Sequence, residues 1–154
     1  MSAQTHQFRY ESPLGTLSLE LEGNLCRRIS FDSCSAPECS PDHPAALWLR
    51  GYFHGKPLPL PQLAPATTPF QNKLRKALLD IPFGKVMTYG ELAKKLGTSP
   101  RALGQALVAN PLPILIPCHR IVAANGLGGF GGGETWKRKL LTWEGALAPA
   151  EAAT

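Results

Sequence analysis

The chain has 154 residues, of which 44% are hydrophobic, and this suffices for one full core or for two small domains. No apolar run approaches the roughly eighteen residues of a membrane span, and the N-terminus lacks the basic-then-apolar order of a signal peptide. We therefore expect a cytoplasmic protein without a membrane partner, whose four cysteines are reduced thiols.

The charge is unevenly distributed along the chain. Residues 1–69 contain five basic and six acidic side chains, a net charge of −1, whereas residues 70–145 contain eleven basic and four acidic ones, a net charge of +7. Such a basic half suits a polyanionic partner, but an ordinary solvated basic face gives the same count. Charge alone therefore does not identify DNA as the partner.

The first thirty residues alternate apolar and polar side chains in QFRYE, TLSLELE and LCRRISF, which predicts a small antiparallel sheet. A short helix is predicted over residues 45–53. The segment GKPLPLPQLAPATTP that follows has five prolines in fifteen residues and fits neither a helix interior nor a central strand. We predict an N-terminal domain over residues 1–54 and an extended linker over residues 55–68.

Helical signals begin after this linker. Thr68 is a plausible cap for a helix that starts at Pro69, and residues 88–91, TYGE, form a capping box for a helix that ends before Gly97. Ser99 and Pro100 then provide the cap and the first residue of another helix. Two short helices around a tight turn predict a helix-turn-helix.

The second of these helices is predicted to have a buried and an outer face. The inner residues are Leu103, Ala106 and Leu107; the outer residues are Arg101, Gly104, Gln105 and Val108. Small outer side chains let a backbone approach a nucleic-acid groove, and one long cation near the helix start could reach between bases. An ordinary surface helix with a single arginine is the alternative.

A cysteine follows a predicted buried strand. The sequence NPLP ends the helix, and the apolar run at 114–117 is predicted to be a strand that leads to Cys118, His119 and Arg120. A thiol attacks as its thiolate, so it needs a proton acceptor and positive groups, and both residue types adjoin it. An isolated buried cysteine is usually an inert core residue, and the spacing alone leaves the mechanism open.

The rest of the chain is predicted to contain a strand at 121–122, a turn at 125–126 and a glycine-dense loop at 128–133. The helix Glu134–Trp143 follows, with a basic side formed by Lys137, Arg138 and Lys139. Residues 147–154 are expected to be a frayed tail. Together with the preceding helices, these elements define a predicted C-terminal domain over residues 69–146.

Several strings resemble one family. NPLPILIPCHRIV, GKVMTYGELAKKLG, SPRALGQALVANP, GLGGFGGG and KRKLLTWEG are closely similar to the O6-alkylguanine-DNA alkyltransferases. The resemblance spans about residues 69–145. It implies an α+β fold, with a small N-terminal sheet and a mainly helical, winged-helix-like C-terminal domain that holds the thiol and binds DNA.

The resemblance also implies catalytic roles. Cys118 matches the alkyl-acceptor cysteine, His119 the histidine that activates it through a water, and Glu144 the glutamate that pairs with that histidine. Asn110 matches the asparagine that fixes the turn beside the thiol. Such a chain of groups raises the thiolate fraction, because each member stabilises charge on the next.

A further set of residues is implied in DNA and substrate binding. Tyr89 matches the tyrosine that rotates the target nucleotide, and Arg101 matches the arginine that fills the vacated stack. The expected DNA-binding residues are Tyr89, Arg101, Gly104, Gln105 and Arg120, and the expected pocket residues are Tyr89, Phe130, Gly131 and Lys137. The chain departs from some relatives in a shorter turn between the two short helices and in the absence of hydroxyl groups at 130 and 131.

The implied activity is direct-reversal DNA repair in a single turnover. An alkyl group moves from O6-alkylguanine in double-stranded DNA to Cys118, after base flipping, and O4-alkylthymine stays open as a further substrate. We expect a monomer without a cofactor or a metal; the spacing of Cys34, Cys39 and His43 lacks an evident fourth ligand. The alternatives are a lesion-binding module without transfer and a Cys–His hydrolase that needs no DNA.

Overall fold

A computed structural model of the chain describes residues 4–32, 34–56, 58–128 and 133–147. The chain divides into two compact units, Met1–Pro65 and Ala66–Thr154. Within the described residues, none of the helices has the length and apolar character needed to cross a bilayer.

The first unit contains a three-stranded antiparallel sheet in the order β1 (Thr5–Ser12), β2 (Gly15–Glu22) and β3 (Leu25–Ser30). In the central strand Leu17, Leu19 and Leu21 are buried, as the period of two predicts, and Ser18 between them is buried as well. The predicted sheet is therefore confirmed. Helix α1 (Pro44–Phe53) begins where the side chain of His43 accepts a hydrogen bond from the backbone N–H of Ala45.

Irregular chain hydrogen-bonds to both outer strands of this sheet, at Arg9 of β1 and at Cys26 of β3. The backbone N–H of Cys26 in β3 donates to the carbonyl of Gln62 at 2.8 Å, and that of Ala64 donates to the carbonyl of Cys26 at 2.9 Å. Part of the proline-rich segment thus lies against β3 and belongs to the first unit. The domain boundaries at 54 and 69 stay predictions.

The second unit is mainly helical. Its helices are α2 (Pro69–Leu79), α3 (Tyr89–Leu96), α4 (Pro100–Val108) and α5 (Glu134–Trp143), and β4 (Met87–Thr88) pairs in parallel with β5 (Ile121–Val122). The caps are those that the sequence indicates. Thr88 and Glu91 form a reciprocal capping box at the start of α3, Gly97 ends that helix in the left-handed conformation, and Ser99 caps α4.

The predicted strand at 114–117 is wrong. These residues form a turn in which the backbone N–H of Ile116 donates to the carbonyl of Leu112 at 2.9 Å, and Ile114 has a φ of 75°. A β-branched residue rarely adopts this left-handed conformation, so the surrounding contacts must hold it there. Prolines on both sides of Ile114–Ile116 also remove the N–H groups that a strand ladder would use.

The architecture agrees with the expected α+β fold. A small antiparallel sheet occupies the first unit, and the helix-turn-helix of α3 and α4 lies in the second. The inner residues of α4, Leu103, Ala106 and Leu107, are buried as predicted.

Candidate active site

Cys118 opens a three-residue 3-10 turn, Cys118–Arg120, rather than ending a strand. Pro117, with φ −78° and ψ 66°, forms an inverse γ-turn in which the backbone N–H of Cys118 donates to the carbonyl of Ile116 at 2.8 Å. The cysteine is 7% exposed. The thiol is therefore held in a tight backbone bend, largely out of solvent.

Asn110 fixes this bend through its side-chain amide. Its Oδ1 accepts a hydrogen bond from the backbone N–H of Leu112 at 3.1 Å, and its Nδ2 donates to the carbonyl of Ile116 at 3.0 Å. The same amide lowers the pKa of the Cys118 thiol. One side chain thus joins the end of α4 to the turn before Cys118, and the catalytic role expected for Asn110 stays a prediction.

His119, Glu144 and Arg120 form a buried hydrogen-bonded group. The Nε2 of His119 is 2.6 Å from Glu144 Oε2, and the guanidinium of Arg120 donates to both oxygens of Glu144, from Nε at 2.9 Å and from Nη2 at 3.0 Å. Its Nη1 donates to the carbonyl of Ile81 at 2.8 Å. The expected pairing of His119 with Glu144 is present in the structure.

Arg120 does not fit the DNA contact expected from sequence. Its side chain is buried, and the guanidinium donates hydrogen bonds to the Glu144 carboxylate and to the Ile81 carbonyl. An arginine held in this way orients a carboxylate instead of reaching a phosphate. We therefore correct its assignment from a DNA-binding residue to a residue that positions Glu144.

His119 is poised to accept a proton. Burial lowers the pKa of its imidazole, and the hydrogen bond to Glu144 opposes this shift only in part. A neutral imidazole that donates its Nε2–H to Glu144 carries its lone pair on Nδ1. This buried Nδ1 has no hydrogen-bond partner among the described residues, so it is available as a base.

Lys137 is fully buried, although the sequence suggested a basic surface on α5. Its Nζ donates to the carbonyl of Ile121 at 2.6 Å and lies 5.6 Å from the centre of the Tyr89 ring. Burial lowers its pKa to about 8, while the nearby sulfur of Cys118 raises it. Only Arg138 and Lys139 of the predicted basic side are accessible, and Lys137 supplies a positive charge beside the thiol.

The Cys118 thiol is not activated by its surroundings alone. Burial raises its pKa to about 11, and the Asn110 hydrogen bond and the charge of Lys137 oppose this effect. The thiol is therefore protonated at neutral pH. Attack on a carbon requires that a base take the proton as the sulfur reacts, and His119 is the adjacent candidate.

Tyr89, the first residue of α3, is positioned by a glycine. Gly128 has a φ of 77°, and a Cβ atom on it would lie 2.5 Å from Cε2 of the Tyr89 ring. A side chain at position 128 would therefore displace the tyrosine ring. Tyr89 thus lies near Lys137, whose charge acts on Cys118, and its place in the substrate pocket stays a prediction.

The outer face of α4 is accessible. Arg101 and Gln105 are exposed, Gly104 is half-buried and Val108 is 64% exposed. None of these four belongs to the buried group around the thiol. Phe130 and Gly131, the other expected pocket residues, lie outside the described residues. Within the described ranges, no three histidine, cysteine or carboxylate side chains are grouped closely enough to hold a metal ion.

The sequence predicted Lys137 both on a basic side of α5 and in the pocket, and one signal favoured the buried position. Lys137 lies three and four residues before Leu140 and Leu141, which are both buried, so it shares their helix face. The inward position of Lys137 was therefore readable from spacing. The partner of Arg120 was not, because Glu144 is 24 residues away and the two meet only in the folded unit.

Comparisons with known proteins agree with this geometry. Residues 69–146 match the family described as "6-O-methylguanine DNA methyltransferase, DNA binding domain". The chain is 40% identical to methylated-DNA–protein-cysteine methyltransferases of Saccharolobus solfataricus, over 91% of this chain and 95% of the relative, and of Metallosphaera sedula, over 90% and 92%.

Solved structures of similar fold include Mycobacterium tuberculosis OGT in complex with DNA. Its TM-score is 0.76 at 35% identity, and the match covers 95% of this chain and 96% of that one. The O6-methylguanine-DNA methyltransferase of Pyrococcus kodakaraensis gives a TM-score of 0.68 at 27% identity, over 92% of this chain and 99% of that one.

Proposed function

We propose that this chain, which belongs to the methylated-DNA–protein-cysteine methyltransferase family, repairs DNA by moving an alkyl group from O6-alkylguanine onto Cys118. Membership rests on 40% identity across nine tenths of the chain and on the match over residues 69–146. One observation carries the assignment of the acceptor. Cys118 directly precedes His119 of the buried His119–Glu144 pair, and the Asn110 amide and the buried Lys137 both lower the pKa of its thiol.

The first step in this proposal is proton transfer from the thiol to His119 Nδ1, directly or through a bridging water. The imidazole becomes positively charged, and the carboxylate of Glu144 stabilises that charge at 2.6 Å. Arg120 keeps the carboxylate oriented through two hydrogen bonds. Asn110 and Lys137 stabilise the negative charge that develops on the sulfur.

The second step is a displacement at the alkyl carbon. A bond forms between Sγ of Cys118 and this carbon while the bond from the carbon to O6 breaks. The electron pair of the broken bond moves to the guanine, which takes up a proton and becomes normal guanine. The product is a neutral thioether, which is a poor leaving group, so the protein acts once.

DNA enters the proposal through the helix-turn-helix. The O6 atom of guanine points into the stacked duplex, so the base must be turned out before a buried thiol can reach it. We assign contact with the groove to the outer face of α4, with Arg101 inserted into the vacated stack and Tyr89 beside the extruded base. The DNA complex of the similar M. tuberculosis protein supports DNA as the partner.

We further propose that residues 69–146 form the acceptor and DNA-binding domain, and that the protein acts as a monomer in the cytoplasm. The match of residues 69–146 to one family supports the first statement. The four cysteines are free thiols, which agrees with a reducing compartment. Sedimentation of the free protein and of its DNA complex tests the oligomeric state.

Transfer of a labelled methyl group tests the function. The protein is incubated with excess duplex DNA that carries O6-methylguanine with a labelled methyl group, and protein-bound label is followed to its plateau. We expect one methyl per chain, located at Cys118, and none in a Cys118→Ser variant. Tight lesion binding without label on the protein would identify a lesion-binding module, and repeated turnover would refute the suicide mechanism.

A further inference from the structure

We propose that Gln71 and Lys73 of α2 are positioning residues that hold the helix-turn-helix in the arrangement required for duplex DNA. This inference rests on the proposed function. It starts from the last carbonyl groups of α3 and α4, which an α-helix leaves without partners of its own. In both helices, a side chain of α2 donates to such a carbonyl.

At the end of α3, no backbone N–H of the described residues donates to the carbonyl of Leu96. The N–H of the residue four positions later would bind it in a continuing helix, but that residue is Pro100, which has no N–H. Lys73 Nζ donates to this carbonyl at 3.3 Å. The positive charge of Lys73 also interacts favourably with the negative end of the helix dipole.

At the end of α4, the carbonyl of Ala106 likewise does not receive the hydrogen bond that a continuing helix would give it. The backbone N–H of Asn110, four residues on, donates to Leu107 instead, at 3.1 Å. Gln71 Nε2 donates to the Ala106 carbonyl at 3.2 Å. Asn110, whose amide fixes the bend before Cys118, lies four residues after Ala106. The bond from Gln71 therefore holds the chain close to that bend.

The two bonds fasten both helices to one turn of α2. Side chains two residues apart on a helix point in different directions, so Gln71 and Lys73 reach different helices. The inner side of α2, with Leu74, Ala77 and Leu78, is buried and keeps α2 itself in place. The spacing between α3, which begins at Tyr89, and α4, which carries Arg101, is thereby tied to α2.

The test separates reaction on DNA from reaction on a free base. A free O6-benzylguanine base needs the thiol and its pocket but no groove contact, whereas a benzylguanine in duplex DNA needs both helices correctly placed. We expect Gln71→Met to lower the second-order rate constant with DNA by about threefold to tenfold, the usual effect of one lost hydrogen bond. The rate with the free base should stay within about twofold of wild type.

Asn72→Met is the matched control. Asn72 is an exposed amide on the same helix, and in the described part of the chain its side chain forms no hydrogen bond. This variant should react like wild type with both substrates. Equal rates for Gln71→Met and Asn72→Met on DNA would overturn the proposal, and so would an equal loss of Gln71→Met on both substrates, which indicates general damage to the fold.

Lys73 needs a charge control because a lysine on α2 could also contact a phosphate. Lys76→Met removes the same charge from an exposed position of the same helix. We expect Lys73→Met to lose more activity on DNA than Lys76→Met, and Lys73→Arg, which keeps a donor, to recover most of it. Equal losses in the two methionine variants would remove Lys73 from the proposal. A wild-type protein inert toward both substrates would instead refute the proposed function.

Discussion

Two ion pairs, one in each unit, differ in their environment. In the first unit, Arg28 and Glu20 lie 3.7 Å apart on the exposed side of the sheet, with side chains 56% and 42% exposed. In the second, Glu144 is fully enclosed with His119 and Arg120. Exposed pairs contribute about 0 to 1 kcal/mol, whereas a buried charge that loses its partner costs about 3 to 5 kcal/mol. Removing one charge from the exposed pair of the sheet should therefore cost little stability, whereas removing one from the buried group of the active site should cost several times more.

The buried cysteines show the same contrast. Cys26 in β3 is completely buried, and its pKa is raised to about 12, with the backbone of Arg28 as its main opposing contact. Cys118 is nearly as buried, yet an amide and a lysine lower its pKa from what burial alone would give, and His119 follows it in the sequence. Burial makes a thiol inert, and chemistry requires polar groups that are themselves expensive to bury.

Of the substitutions proposed, Glu144→Gln should have the largest effect on both the transfer rate and the stability. The amide cannot accept from His119 and from both nitrogens of Arg120, so the buried arginine loses its counter-charge and the imidazolium loses its stabilising group. We expect the transfer rate to fall at least about 100-fold and the free energy of unfolding to fall by about 3 kcal/mol. Single-turnover kinetics and urea unfolding measure the two effects.

Glu20→Gln is the control for that variant. It removes a carboxylate from the exposed pair with Arg28, and we expect a stability change below about 0.5 kcal/mol and no change in rate. Equal losses of stability in both glutamine variants would contradict the distinction between the two environments.

Gly128→Ala should act through Tyr89. The new Cβ would lie 2.5 Å from the ring, and the ring must move by about 1 Å to reach an ordinary contact distance. A displacement of this size costs about tenfold to 100-fold in a well-positioned site. Gly126→Ala is the control, because a Cβ there meets no atom within 4 Å. If the two alanine variants react at the same rate, the Tyr89 position is not important.

Lys137→Met should lower the rate in a pH-dependent manner. Lys137 is charged below its pKa of about 8, where it stabilises the developing thiolate, and it loses that charge as the pH rises. We expect the variant to be about tenfold slower at pH 7. The ratio of the wild-type to the variant rate should fall between pH 7 and 9.5. A ratio independent of pH would show that the charge of Lys137 does not assist the sulfur.

Lys137→Met should also increase the free energy of unfolding, and this is the smallest change expected of the test variants. The folded pKa of about 8 is below the ordinary 10.5, so the unfolded chain binds more protons between these values and the lysine destabilises the fold below pH 8. Lys137→Met removes this destabilisation but also loses the hydrogen bond to Ile121. The net gain in the free energy of unfolding should therefore be roughly 1 kcal/mol at pH 7. The gain should shrink as the pH rises toward 10.5.

Sequence signals predicted what is determined locally. The capping box at Thr88, the cap at Ser99 and the alternation in β2 depend on neighbours within a few residues, and all three are present in the structure. The turn at 114–117 was missed because the apolar run resembles a buried strand. Its conformation depends on Asn110, whose two side-chain bonds close the turn from outside the run.

The sequence predicted those site residues that match a motif of the family. It did not predict the contacts that form only when distant parts of the chain fold together. The pairing of His119 with Glu144 follows from the matched motif and is present at 2.6 Å. The burial of Arg120 depends on the distant carbonyl of Ile81 and on the end of α5, and no local pattern contains that information. Gln71 and Lys73 were missed for the same reason, since their acceptors are carbonyl groups of other helices.

The mass of the intact protein after exposure to O6-benzylguanine tests the central claim most directly. One benzyl group should be added per chain, and peptide mapping should locate it at Cys118, with the same result in a Cys26→Ala variant and no addition in Cys118→Ser. Benzylation at Cys26, or addition that persists in Cys118→Ser, would contradict the assignment of Cys118 as the activated thiol.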